Sequence, residues 1–209
     1  MSINTDLLQE YEALAAMADQ DVRDLMEKHG PLVKCGVQCS DCCHSVFGLF
    51  LIESAYISHH FAGLEESVRQ EGLAMAGRAD RELLEVEKRL KTYDNNLPVK
   101  AVAMARERVR CPLLDQDEKC LLYPHRPITC RVYGVPTVVN GSLHSCWKAG
   151  FEKGRSYEAF DLDIAYRELY RLSRKLLAQS GQKDPDRASL LVSVSKSIKT
   201  AAADLIGGK

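Results

Sequence analysis

Apolar residues recur at three- and four-residue steps toward both ends of the chain. Leu7, Tyr11, Leu14, Ala18, Val22 and Leu25 place one apolar stripe on one face, which predicts a helix over residues 5–29. His29-Gly30-Pro31 ends it, glycine supplying a left-handed cap and proline refusing the helical ladder. A second stripe runs Leu64, Val68, Met75, Ala79, Leu83, Val86, Leu90, with Glu85/Arg89 and Glu87/Lys91 paired on its outer face. Asp94-Asn95-Asn96-Leu97-Pro98 breaks that helix, and Val99 to Val109 reads as a shorter one. Over 155–206 the pattern predicts a helical hairpin. Tyr157 to Gln179 is one arm, and Ser180-Gly181-Gln182-Lys183 is the turn. Asp184-Pro185 opens the return arm, whose stripe is Leu191, Val194, Ile198, Ala202 and Leu205.

Between these helices the long periodicity disappears. Val46 to Leu51 reads as extended. Leu113-Leu114 and Leu121-Leu122-Tyr123, separated by five polar residues, suggest a small hairpin. Thr137-Val138-Val139 and Leu143 flank Asn140-Gly141, the dipeptide that favours the tight turn matching strand twist. The expected fold is mainly α, one domain over 1–209. Its helices pack around an irregular cysteine-rich metal-binding centre at 31–148, with one or two short β-hairpins.

Composition narrows the function. A chain of 209 residues can bury a substantial core and needs no disulfide staples. Its formal charge of −1 gives no electrostatic reason to expect nucleic acid or an anionic membrane as partner. The acidic N-terminus lacks a secretory layout, and Val46 to Ile52 is too short to span a bilayer, so a cytoplasmic location is expected. There thiols stay reduced and free for metal. A disulfide framework is the rival reading of an even cysteine count, but it requires export that the sequence does not signal.

The eight cysteines dominate the chemistry. Cys35, Cys39, Cys42 and Cys43 fall within nine residues, and Cys111, Cys120, Cys130 and Cys146 follow in one further stretch. Cysteine used merely as a small hydrophobe scatters along a sequence. Clustering at these spacings makes all eight candidate metal ligands. One tetrahedral zinc takes four donors, as does one iron–sulfur cluster, so eight thiols can serve two centres or one with thiols to spare. The adjacent pair Cys42-Cys43 can share a single ion only if the backbone bends, because successive side chains of an extended segment diverge. Two centres sharing the segment, or a polynuclear cluster, use the pair more naturally. His44 is the best histidine candidate, with His125 and His144 between distal cysteines; an ordinary surface histidine is the competing reading for each. His29, His59 and His60 read as solvent-facing or capping. Lys34, Arg110, Lys119, Arg131 and Lys148 lie beside cysteines and could offset thiolate charge.

Cys35-Gly-Val-Gln-Cys39-Ser-Asp-Cys42-Cys43 resembles the signature of the CxxCxxCC proteins, a widespread and mostly bacterial group described as zinc- or iron-chelating and also called the YkgJ family. Cys111-Pro-Leu-Leu, then Lys119-Cys120-Leu-Leu-Tyr123-Pro-His-Arg126-Pro127-Ile-Thr-Cys130-Arg131, matches that family's second block. The first gap holds three residues where the family has two. The resemblance implies ligand roles for Cys39, Cys42, Cys43, Cys111, Cys120 and Cys130, with Cys35 and Cys146 as further candidates.

Three functions compete on this reading. The first is an iron or iron–sulfur protein with a redox, sensing or accessory role, in which Arg131 and Tyr123 would donate hydrogen bonds near the sulfurs. The second is a structural zinc module presenting a surface to a protein partner. The third is a cluster-dependent protein-modifying enzyme, because the flagellin lysine methylases carry the same cysteine pattern. This chain shows no glycine-rich strand-to-helix turn to cradle S-adenosylmethionine, so the methylase label does not transfer, while a cluster-dependent modifying activity stays open.

Overall fold

A computed structural model describes residues 5–36 and 39–207. Among these the fold is mainly helical, with one small sheet, in agreement with the pattern of the sequence. The first helix, α1 (Thr5–His29), buries Leu7, Tyr11, Ala18 and Leu25 of the predicted stripe. The second stripe forms α3 (Glu66–Leu90), and the shorter helix α4 spans Leu97–Arg106, opened by the Asn96 side chain accepting from the Val99 N–H.

The central helix, α2 (Leu51–Ala62), carries no signal of its own in the sequence. Eight of its twelve residues are buried. A helix covered on all sides has no polar face, and therefore no stripe. Leu51, Ile52, Ala55 and Tyr56 pack into the larger core with α1 and α6 (Leu162–Gln179). Ile57 and Phe61 face a second core with Leu49, Leu113, Leu122 and Ile198. Truncating one such residue to alanine costs about 2–5 kcal/mol.

Polar groups fix the start of α2. The Ile52 N–H donates to Ser173 Oγ of α6 at 3.2 Å, and the Ser54 and Ser197 hydroxyls lie 2.7 Å apart in the core. The fully buried Glu53 takes the Phe50 N–H on one oxygen and the Ile128 N–H on the other, at 3.2 and 2.9 Å. One carboxyl thus satisfies free donors at the starts of two helices, α2 and the single-turn α5 (Ile128–Arg131).

The C-terminal region departs from the expected hairpin. Its first arm starts at Leu162, capped by Asp161 accepting from the Ile164 N–H. The return arm is divided into a 3-10 turn (Pro185–Ser189), α7 (Val194–Lys199) and α8 (Ala202–Gly207). Between the turn and α7, Val192 exchanges both backbone hydrogen bonds with Leu49 at 2.8 Å, which requires extended chain. The Asn140-Gly141 hairpin forms as read: β1 (Thr137–Val139) pairs antiparallel with β2 (Ser142–His144), with φ of 51° and 69° at the turn. A third strand, β3 (Phe160–Asp161), adds in parallel to β1. The expected hairpin near Cys111 is reduced to one bridge, Leu114 with Cys120. No helix among the described residues is long and apolar enough to cross a membrane.

Candidate metal centre

Asp41–His44 is a single 3-10 turn, and it supplies the bend that the adjacent cysteines require. Cys42 and Cys43 Sγ stand 3.9 Å apart. That is close to the edge of a tetrahedral thiolate site, about 3.8 Å for metal–sulfur bonds near 2.3 Å. Cys111 is brought opposite by an antiparallel run: Val109 N–H donates to His44 O at 3.0 Å and Cys111 N–H to Cys43 O at 2.7 Å. The loop from Cys111 to Cys120 closes on itself, Leu121 N–H to Leu113 O at 2.8 Å and Asp115 N–H to Lys119 O at 2.9 Å. Cys130 rides on α5, whose first turn is held by Glu53.

These segments surround one cavity of about 60 Å³, lined by Cys42, Cys43, Cys111, Cys120 and Cys130. Its other walls are largely apolar: Val46, Phe47, Ile57, Leu83, Val109, Leu113, Leu122 and Val194. Arg126 and Arg110 are its cations. Arg126 stacks on the Tyr123 ring at 3.7 Å, and Arg110 pairs with Glu118 at 2.7 Å.

The remaining cysteines lie elsewhere. Cys35, Cys39 and Cys146 line a separate cavity of about 10 Å³ with Lys34, Tyr133, Gly134, Lys148 and Ala149. The Gly150 N–H donates to Leu32 O at 2.8 Å, which docks the turn following Cys146 against the segment leading to Cys35. Only a glycine fits at 134, because an added Cβ would meet Cys35 Cβ at 2.2 Å. The eight sulfurs therefore divide five and three, and Cys39 stands with Cys35 and Cys146 rather than with Cys42 and Cys43.

Electrostatics distinguish the thiols. Cys42 is held well below the ordinary thiol range by S–H donation from Cys130 and then Cys43, with help from Arg126. Cys130 and Cys43 are raised in consequence, each also penalised by burial. Burial pushes Cys111 up to about 12 and Cys35 up to about 11. One thiolate, Cys42, thus sits among protonated neighbours whose protons a metal must displace.

Among the described residues, no three His, Cys, Asp or Glu side chains are drawn together tightly enough to hold an ion as they stand. The donor chemistry nonetheless fits a thiophilic metal: five thiols on one cavity, a preformed pair at chelating distance and an adjacent guanidinium. Cys42, Cys43, Cys111, Cys120 and Cys130 are the residues that would hold it. The side chains around the pair must close in, and their S–H protons must leave.

Other candidates sit apart from both cavities. His44 Nε2 lies 4.0 Å from Glu118. His144 is exposed on β2. His125 Nδ1 is 2.9 Å from the Tyr56 hydroxyl, and its ring stacks on His60 at 3.5 Å, so His60 is half-buried rather than solvent-facing. His29 bonds the Glu158 carbonyl. Arg131 points away from the sulfurs, donating to the Arg126 and Pro124 carbonyls and pairing with Asp19, while Tyr123 is half exposed. The guanidinium that does face the sulfurs is that of Arg126, whose place in an Arg-Pro pair signals only a turn.

No curated protein and no solved structure matches the chain. One family model does, the CxxCxxCC "Putative zinc- or iron-chelating domain", over residues 34–147. That span begins one residue before Cys35, ends one residue after Cys146 and takes in all eight cysteines. It covers more than half of the molecule, and the chain belongs to the CxxCxxCC family of zinc- or iron-chelating proteins.

Proposed function

We propose that this chain is an iron-binding protein that carries an iron–sulfur cluster on Cys42, Cys43, Cys111, Cys120 and Cys130, in a cytoplasmic redox, sensing or accessory role. The observation that supports this reading is the convergence of five thiols on one largely apolar cavity. Zinc and cluster would each take four of the five thiols, but soft ligands around a largely apolar cavity of about 60 Å³, wider than a single ion needs, suit a polynuclear centre. When bound, the cluster would supply one-electron chemistry. The chain's own part is to exclude water with Val46, Phe47, Leu113 and Leu122, and to offset thiolate charge with Arg126 and Arg110.

A structural zinc is the second reading, and the 3.9 Å spacing of Cys42 and Cys43 fits it as well. Two thiolates that close serve one metal atom, as in zinc or in a two-iron cluster, where each iron takes two cysteines. Iron, zinc and acid-labile sulfide measured on anaerobically purified protein separate the readings. Iron with sulfide and a visible spectrum bleached by dithionite supports the cluster. Zinc alone, without colour, replaces it with the structural module.

A further inference from the structure

We infer that Cys35, Cys39, Cys146 and Asp41 form a second, separate site for a single thiophilic divalent cation of the zinc class. The inference goes beyond the proposed cluster and does not need it.

Separation is the first observation. The two thiol cavities share no lining residue. The turn Asp41–His44 gives Cys42 and Cys43 to the larger one, while the Asp41 carboxylate lies behind the wall of the smaller one, in contact with its lining residues Tyr133, Cys146 and Lys148. Size is the second. A cavity of about 10 Å³ is comparable to the space one water occupies, so it admits one ion rather than a cluster.

Asp41 is the third. Its carboxylate is 7% exposed, and its Oδ2 lies 3.8 Å from Cys146 Sγ, which donates to it. The Tyr133 hydroxyl donates to the same oxygen at 2.9 Å; Trp147 Nε1 and Lys148 Nζ reach Oδ1 at 3.2 and 3.5 Å. A carboxylate oriented by donors on both oxygens is the arrangement that fixes metal-ligating carboxylates. Three thiolates and a carboxylate bring four negative charges to a dication. Lys34 and Lys148, both at the cavity wall, offset the remaining two. The site is also built for close packing, since Cys35 Sγ would stand 2.9 Å from any Cβ at position 134.

The full-length chain tests this. Purified anaerobically, it is expected to contain one zinc per molecule beyond any metal of the five-thiol cavity. After chelation it should take up one equivalent of Co2+ in the small site. Replacing Cys35, Cys39 and Cys146 together with serine should remove the zinc and leave the metal, sulfide and spectrum of the larger site intact. A milder variant, Cys146→Ser, guards against misfolding. It should lower the sulfur-to-Co2+ charge-transfer absorption of this site by about a third, as three thiolates become two. Asp41→Asn should weaken Co2+ binding by about tenfold or more. Failure of the wild-type chain to hold zinc or take up Co2+ here overturns the inference. So does joint loss of all metal in the triple variant, which would mean one centre spanning both sets. Absence of iron from the larger cavity would defeat the cluster reading alone, because zinc loss confined to the triple variant would still establish the second site.

Discussion

Cys42 and Cys43 are neighbours in sequence, yet their sulfurs lie 3.9 Å apart on the same side of the chain. The 3-10 turn from Asp41 to His44 produces this, rotating consecutive side chains by far less than a strand would. The pair is therefore a preformed chelate in which Cys42 is already the thiolate. Serine at either position should weaken metal binding by more than about tenfold, since even a residue that only orients a ligand costs that much. Metal content of Cys42→Ser and Cys43→Ser, with circular dichroism to confirm the fold, checks this. Full occupancy in both variants would remove the pair from the ligand set.

Arg126 lines the sulfur cavity and helps hold Cys42 ionised, after the S–H donors Cys130 and Cys43. In the metal-free protein, Arg126→Leu should raise the Cys42 pKa, moving upward the pH at which its thiolate ultraviolet absorbance is lost. If a cluster is bound, loss of the positive charge should shift its potential downward by tens of millivolts, since about 60 mV per electron corresponds to 1.4 kcal/mol. An unchanged midpoint would mean that the guanidinium is screened from the sulfurs.

The legible parts of this molecule were those with a periodic or chemical signature. The stripe from Leu7 to Leu25 encodes α1 because one face is buried and the other wet, and Asn140-Gly141 encodes its hairpin through backbone geometry alone. The cysteines announce a metal protein by number and clustering. The five-and-three partition does not show in spacing, because Cys39 is three residues from Cys42 yet faces the other cavity. That partition depends on Cys111 pairing with Cys43 and on Gly150 docking at Leu32, both long-range hydrogen bonds. The same limit hides α2, the divided return arm and the role of Asp41.

Gly48 shows how tightly the extended return segment is seated. A Cβ there would meet Leu191 Cβ at 2.5 Å, beside the Leu49–Val192 bridge. Gly48→Ala should destabilise the protein by about 1–3 kcal/mol, the usual cost of overpacking. Urea denaturation under reducing conditions measures it. A neutral result would mean that the segment at Leu190 to Val192 shifts freely.

His60 stacks on His125 and lies beside His59, whose ring centroid is 5.1 Å away. Burial, then repulsion from His125 and His59, lowers its pKa to about 4. Such a group resists protonation in the native state, so stability is lost as pH falls from about 6.5 toward 4. NMR titration should find the His60 midpoint near 4 in the native chain. His125→Asn should move it upward by relieving both burial and repulsion. A midpoint near 6.5 in the native chain would show that the stack is open in solution.

Glu53 carries the opposite pH dependence. It is fully buried, and although the Ile128 and Phe50 N–H groups favour its charge, burial dominates and raises its pKa from 4.5 to about 7. Between those values the native chain keeps a proton that the unfolded chain has released, so stability falls as pH rises and levels off above about 7. The whole effect is on the order of 3 kcal/mol, from about 1.4 kcal/mol per pKa unit. The absolute curve also contains His60 and the thiols, but the difference between wild type and Glu53→Gln isolates the carboxyl. Glutamine keeps one acceptor for the two N–H donors and cannot ionise, so it carries a fixed cost without a slope. Metal-free urea melts from pH 4.5 to 8 should therefore show the wild type losing its advantage over the variant by about 3 kcal/mol up to pH 7 and no further. A difference independent of pH would mean that water reaches the carboxyl and that the start of α5, with Cys130 on it, is held more loosely than the two hydrogen bonds to Glu53 imply.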